Sequence, residues 1–481
     1  MEEAVFQQAI TYAQTDRRAE ARKLLLACAE AHPREKRYRI ELAGLAYLEK
    51  DFSAARRYLR TALALDPSDA YANEFLGTLY FLERNLPAAL LYWNSVGKPR
   101  VGKFSVPDRI SLELLSVPPG GQLLLKDLRT AEARTAALRL GQLHADLAAR
   151  ADGAYDVALS LPSSSGRVVL ARSLRGLAYQ SLAPEWRNIN DSGLSWAGLY
   201  RWDAQKRRMD NSFTAPLFGS TKWRLELGAD LRRETWNVGA PQDFRLDSAE
   251  TYAAVGAVES GRLEWSTGFS ASTRSIGNAG GLSGGRALES QTRARVVLID
   301  RPQSRLFVFG EGSVDLGRFY VEQGGAYSRV RGDVTARWHP RPAHADMAAI
   351  RASIGSIGGP VPFDRQFILG IERDTDLWLR GHFATRGSKK GSGLISREYA
   401  LWNTQYEVEV FRLPLITVAA GPFFDAGRVP GLPWQYDAGA QVRVSITGGV
   451  SLVLSWGRDL RTGRHSWYLS NGLFGSPSGG R

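Results

Sequence analysis

Trp223-Arg224-Leu225-Glu226-Leu227-Gly228-Ala229-Asp230-Leu231-Arg232 alternates without a break. In an extended chain, successive side chains point to opposite sides. Trp223, Leu225, Leu227, Ala229 and Leu231 therefore share one face, and Arg224, Glu226, Gly228, Asp230 and Arg232 share the other. The pattern returns at Gln405–Val410, where Tyr406, Val408 and Val410 oppose Gln405, Glu407 and Glu409. It returns again at Val442, Val444 and Ile446, and at Leu452, Leu454 and Trp456. A soluble sandwich buries its apolar face and keeps the polar face wet. Here the polar face carries Arg and Glu together on strand after strand, and the apolar face carries Trp and Tyr near strand ends. That is the pattern of an antiparallel barrel with lipid outside and a polar lumen. About sixteen such segments fit between roughly residues 177 and 474, each near the length a tilted membrane-spanning strand needs. Glycine-rich polar stretches at Gly277–Gly285 and Arg386–Gly393 read as the connecting outer loops.

Composition agrees with this reading. The chain has 481 residues, enough for two to four domains. No apolar run approaches the length of a membrane helix, which leaves a strand-built membrane protein open. The single cysteine excludes a disulfide framework and a cysteine-built zinc site. Of 62 basic residues only ten are lysine, and the formal net charge is +13. The arginines are interleaved with Asp and Glu along strands and form no basic face, so nucleic acid is not an expected partner.

Two further regions precede the strands. Residues 1–99 repeat with a period of 34: Ala9, Ala43 and Gly77 are in phase, as are Ala21, Ala55 and Ala89, and Pro33 with Pro67. Small residues at these positions let two antiparallel helices approach closely, and proline ends the second helix. This is the tetratricopeptide signature, and such stacks present a groove for a peptide partner. Cys28 falls at a packing position of the same repeat. Residues 106–163 read as strand (Ile110–Val117), turn (Pro118-Pro119-Gly120-Gly121), helix (Asp127–Leu140) and a hairpin about Asp152-Gly153. This order resembles the POTRA module, a small periplasmic α+β domain that precedes certain outer-membrane barrels. The opening Met1-Glu2-Glu3 enters a helix pattern with no export signal, so a barrel of this kind is expected to have lost its signal upstream.

The last 120 residues carry the most specific motifs. A strand pattern at Phe363–Gly370 is followed by Leu379-Arg380-Gly381-His382. A strand with a Pro-Leu end, Gln405–Leu415, comes next, and then Gly421-Pro422-Phe423-Phe424-Asp425-Ala426-Gly427-Arg428. This order resembles the outer membrane protein 85 superfamily, the BamA-type bacterial surface antigens. Members carry an Arg-Gly motif at the tip of a long loop folded into the lumen, and a Phe-x-Asp-x-Gly strand two strands later. The resemblance implies that Arg380, beside Gly381, pairs in the lumen with Asp425 and with Glu407 or Glu409, which parity does not rank. Arginine suits the task because its planar fork matches a carboxylate bidentately. His382 replaces the family's aromatic residue, and Ile371 stands where a second glycine is common.

The resemblance also implies a lateral seam between the first and last barrel strands. Its first side falls on Leu194, Trp196 and Gly198, with Tyr200–Arg208 as the first hairpin, and its second side on Trp467, Leu469 and Phe474, ahead of a tail at 475–481. The implied architecture is multidomain: all-α repeats at 1–99, a POTRA-like α+β domain at 106–163, and an outer-membrane barrel at 177–474. The implied activity is insertion of proteins into the outer membrane or polypeptide translocation across it. Membrane lipid, client polypeptides and periplasmic accessory proteins are the implied partners, and the N-terminal region would lie in the periplasm. A polysaccharide-export porin, which also joins tetratricopeptide helices to a barrel, is the alternative. A soluble repeat scaffold with a sandwich leaves the outward apolar face unexplained.

No enzyme, metal or cofactor is expected. Gly281-Leu282-Ser283-Gly284-Gly285 matches a nucleophile-elbow string but lies in a loop without the required strand-to-helix turn. Arg386–Gly391 lacks a phosphate-loop pattern, and the six histidines include no His-Glu-x-x-His.

Overall fold

The computed structural model describes residues 2–161, 180–239, 243–277, 282, 284–341, 344–446 and 450–470. Phe474, the tail at 475–481, Leu177, residues 162–163, and Gly281 and Ser283 of the elbow-like string lie outside the described residues.

The N-terminal region is three antiparallel helix pairs: Glu2–Gln14 with Arg18–Ala31, Lys36–Leu48 with Phe52–Leu65, and Ala70–Leu82 with Leu86–Trp93. The pairs begin 34 residues apart, and the turn residues Asp16, Lys50 and Arg84 keep that spacing with positive φ. Asp51, Asp69 and Asn85 cap the helices they precede by accepting from the backbone N–H three residues on. Ala9, Ala43, Ala21, Ala55 and Ala89 are fully buried between helices. Gly77 packs so tightly that an added Cβ would lie 2.3 Å from the Trp93 ring.

A small α/β unit follows. Strand Val101–Ser105 pairs in parallel with Tyr155–Ser160, which pairs antiparallel with His144–Ala149; helices Arg109–Leu114 and Leu125–Ala137 lie between the first two strands in sequence. The strand expected at Ile110–Val117 is therefore a helix over its first half, and the unit's first strand lies earlier, at Val101. Asp108 explains the difference: its carboxylate accepts from Ser111 N at 2.7 Å and caps a helical turn. Ile110 and Leu114 are buried on one side of that turn while Leu112 is exposed, so a short alternation was compatible with either structure. The unit shares a continuous core with the second and third helix pairs, through contacts such as Trp93 against Tyr155 at 5.2 Å.

Most of the remaining strands form one large antiparallel up-and-down sheet curled into a barrel. Ladders pair neighbours in sequence from Leu194–Trp202 through Met347–Gly358, and then Met347–Gly358 pairs with Glu398–Arg412 across the longest described connection. The pairing continues to His465–Ser470. Leu227, Leu231, Val442, Ile446 and Leu454 are exposed on the outer face, whereas Asp230, Gln405, Glu407, Gln441 and Ser455 are buried inside. An apolar outer band of this extent is what a lipid-facing wall requires.

Leu194–Trp202 is not an edge. It pairs with Lys206–Leu217 on one side and with Glu185–Ile189 and Ser181–Leu182 on the other. Leu194, Trp196 and Gly198 thus lie inside the wall, and Tyr200–Arg208 belongs to a later hairpin than the first. The extra strand escapes the sequence pattern because Pro184 interrupts it and a bulge falls between Trp186 and Ile189. Its Asn-rich turn, with Asn188, Asn190 and Asp191 at positive φ, then reads as loop. Trp467 and Leu469 lie on the last described strand, which adjoins Ser181–Leu182 in the strand order.

The N-terminal body sits at the barrel end that carries the short turns. Arg129 bonds Asp300 at 2.8 and 3.1 Å, and Arg139 reaches Ser212 and Glu226 at 2.6 Å. Gly261 N donates to Thr130 Oγ1 at 3.0 Å.

Replacing Gly77 with valine is expected to displace Trp93 and lower the stability of the helical region by about 1–3 kcal/mol. A thermal melt of helical ellipticity checks this; an unchanged midpoint would contradict the close approach.

Candidate functional site: a loop pinned in the lumen

The connection between Met347–Gly358 and Glu398–Arg412 enters the barrel from the end opposite the helical body. Its stem is a short ladder, Phe367–Leu369 with Leu394–Ser396. Phe367, Leu369, Leu377 and Leu379 of the loop form one buried cluster with Ile357, Tyr399, Leu401 and Val429 of the wall. This apolar root brings Arg380 against the inner wall, where its side chain is wholly buried.

Every nitrogen of that guanidinium has an acceptor. Nε and Nη2 donate to Asp425 at 2.8 and 2.6 Å, and Arg380 N donates to the same carboxylate at 2.9 Å. Nη1 donates to Gln405 Oε1 and Gln441 Oε1, both at 3.0 Å, and Nη2 also reaches Thr404 O at 3.1 Å. The Phe423 ring lies 3.8 Å from the guanidinium carbon. Asn403 completes the acceptor side: its amide donates to Asp425 at 2.7 Å and to Trp378 O at 2.8 Å.

The backbone at the tip is held as closely. Gly381 N donates to Asp437 at 2.6 Å, and Ser466 Oγ donates to Arg380 O. A Cβ at Gly381 would lie 2.6 Å from Asp437 Oδ1, and one at Gly457 would lie 2.0 Å from Arg380 O, so both positions demand glycine. His382 takes the aromatic position with a different purpose. Its Nδ1 lies 3.0 Å from Asp437 and its Nε2 3.5 Å from Asp459. Nδ1 is hydrogen-bonded to Asp437 and Nε2 faces Asp459, so the histidine and the two carboxylates lie close enough together to hold a metal ion.

The structure brings Arg380, Gly381 and Asp425 together, but neither glutamate touches Arg380. Glu407 binds Arg443 at 2.7 and 3.0 Å and accepts from the amides of Gln405 and Gln441, whose carbonyls serve Arg380. It therefore meets the anchor through two amides. Glu409 lies at the far end of its strand, accepting from Ala345 N at 2.7 Å and from Arg412 at 2.5 Å. The reason is axial distance. Arg380 sits level with residues 403–405, and each two-residue step along a strand moves about 6–7 Å. Parity sorts faces of a strand and leaves height undetermined.

A second set of anchors went unread. Glu372, Asp374 and Asp376, just before the tip, reach two parts of the wall. Glu372 pairs with Lys206 at 3.0 Å, and Asp374 pairs with Arg201 at 2.8 Å and Arg208 at 3.3 Å. Asp376 pairs with Arg331 at 2.6 Å and Arg351 at 2.7 Å. Near the stem, Asp364 holds Arg274 at 2.5 Å and Arg365 holds Glu250 at 2.6 Å. The alternating acids of Glu372-Arg373-Asp374-Thr375-Asp376 were the available signal, since a loop carrying them into a lumen of arginines must pair them.

No family model matches this chain, and no curated protein does. Among solved structures, CdiB from Escherichia coli aligns with a TM-score of 0.51 at 12% identity, covering 78% of this chain and 76% of that one. The likeness is one of fold. BamA from Haemophilus ducreyi lacking POTRA domains 1–3 aligns with a TM-score of 0.46 at 10% identity, over 77% of this chain and 83% of that one.

Arg380→Ala or Asp425→Asn leaves the remaining partner buried and unpaired, and each is expected to destabilise the barrel by about 3–5 kcal/mol. Replacing both with apolar residues of similar volume is expected to cost less than either single change. The midpoint of unboiled-to-boiled conversion on a denaturing gel measures this. Glu409→Gln is expected to leave trypsin protection of the loop unchanged, while Glu407→Gln weakens it.

Proposed function

We propose that this chain is an outer-membrane barrel of the outer membrane protein 85 type that inserts or translocates polypeptide, with its N-terminal helices and α/β unit in the periplasm. The observation that carries the reading is the buried Arg380–Asp425 pair at the tip of a loop that crosses the lumen. A resting porin needs an open lumen, whereas a polypeptide-handling barrel must keep its lumen sealed until a client engages. Ion pairs to several wall strands supply such a seal.

In this reading the three helix pairs are tetratricopeptide repeats and the α/β unit is a POTRA-like module. The strands Val101–Ser105 and His144–Ala149 are the outer strands of its sheet, and either edge offers a template for a client strand by β-augmentation. The polysaccharide-export alternative is less favoured, since the aromatic side chains Phe423 and Tyr399 of the inner wall are buried against the loop. No catalytic role is assigned to any residue. Client folding supplies the work.

The test reconstitutes the full chain in liposomes and adds an unfolded eight-stranded outer-membrane barrel. The expected result is faster acquisition of the heat-resistant client form, with the acceleration lost in Arg380→Ala. Liposome swelling in oligosaccharide solution, with no effect on the client, would overturn the proposal in favour of the porin reading.

A further inference from the structure

A cleft of about 740 Å³ opens between the second helix pair and the barrel rim. One wall is the helix Phe52–Leu65, which presents Arg56, Arg57 and Arg60. The other is formed by Arg305, in the turn between two barrel strands, and by Trp338 and His339 at the next rim turn. The walls are tied together: Asn85 Nδ2 donates to Pro302 O at 3.1 Å, and Arg60 Nη2 reaches Gln303 O at 3.4 Å.

The charge in this cleft is unbalanced. The helix Phe52–Leu65 brings three arginines to it against one lining carboxylate, Glu83, and Arg56 already pairs with that. Among the described residues Arg57 and Arg60 have no carboxylate within ion-pair distance; Arg60 donates instead to the Tyr80 hydroxyl. Burial and the neighbouring Arg305 and Arg337 hold His339 below its ordinary pKa, so it adds no charge at neutral pH. Arg56, Arg57 and Arg60 share one helix, where like charges at this spacing repel one another, and an anion between them relieves the repulsion.

The position of the cleft says which anion. Trp338 ends the strand Gly325–Trp338 with its side chain half exposed on the outer wall, paired across to Leu306. The same outer face continues through Val334 and Val330, both exposed. A basic recess therefore opens directly onto the lower edge of the apolar band, beside a tryptophan of the kind that seats at a membrane interface. A molecule with an anionic phosphate head and an apolar tail meets both surfaces at once, whereas free phosphate uses only the recess.

We infer that this cleft binds the headgroup of an anionic glycerophospholipid, with its acyl chain lying along the wall above Trp338. The lipid would fix the angle between the helical body and the barrel. The inference rests on reading the wall as membrane-spanning and is independent of what crosses or leaves the lumen.

Native mass spectrometry of the full chain in detergent, with equal phosphatidylglycerol and phosphatidylcholine added, tests it. Wild type is expected to retain phosphatidylglycerol about tenfold or more over phosphatidylcholine. Arg57→Gln/Arg60→Gln is expected to bring that ratio near one, with heat-modifiability unchanged. Lys222→Gln/Arg262→Gln, a matched charge change at other rim turns, should keep the preference. Equal retention by wild type, or a preference that survives Arg57→Gln/Arg60→Gln, would overturn the inference. So would displacement of the lipid by excess inorganic phosphate, which would make the cleft a phosphate site. Client acceleration in liposomes is read separately, so failure of the lipid site and failure of the polypeptide reading are distinguishable.

Discussion

A guanidinium with no exposure to solvent is held against the inner wall of a barrel, and much of this molecule is arranged to make that tolerable. Removing an ion from water is expensive unless every donor finds an acceptor and the counter-charge is close. Arg380 meets both conditions through Asp425, two glutamine carbonyls and a backbone carbonyl. Those partners come from the neighbouring strands Glu398–Arg412, Ile416–Arg428 and Gln435–Ile446. The order of the last strands is thus the order in which the ligands of one arginine must stand. Glycines at 381 and 457 exist because the loop backbone lies against the wall with no room for a side chain.

The tip is only one end of the arrangement. The acidic run at Glu372, Asp374 and Asp376 crosses the lumen to arginines and lysines on strands far from Asp425. Opposing walls are therefore linked through the loop, and the barrel and its plug are electrostatically one object. At the other end of the barrel, Arg139 extends from the α/β unit to Glu226 on a strand of the wall. The helical body shares a core with that unit, so its orientation relative to the rim follows from a few defined contacts.

The period-two alternation made the barrel and its polar lumen legible, because one face must satisfy lipid and the other must not. The 34-residue period made the helix pairs legible through Ala9, Ala43, Ala21, Ala55, Ala89 and Gly77, positions where only small residues fit. Arg380 and Asp425 were legible as partners through the resemblance, and Asp425 through its parity with Phe423. The roles of Glu407 and Glu409 were not, since alternation carries no information about height along a strand. The strand before Leu194 was hidden by Pro184 and a bulge, which break the very pattern used to find strands. At Ile110–Leu114 a single capping aspartate decided between helix and strand. The pairing of the acidic run at 372–376 was not legible, because its partners come from strands 25 to 173 residues away.

The central claim is that the loop is fastened inside the lumen in the resting protein. Amide hydrogen exchange of the full chain in lipid nanodiscs measures this directly. The account predicts that the amides of residues 371–384 exchange as slowly as those of the wall strands Ile416–Arg428 and Gln435–Ile446. Exchange of that segment at the rate of the exposed turns would contradict it.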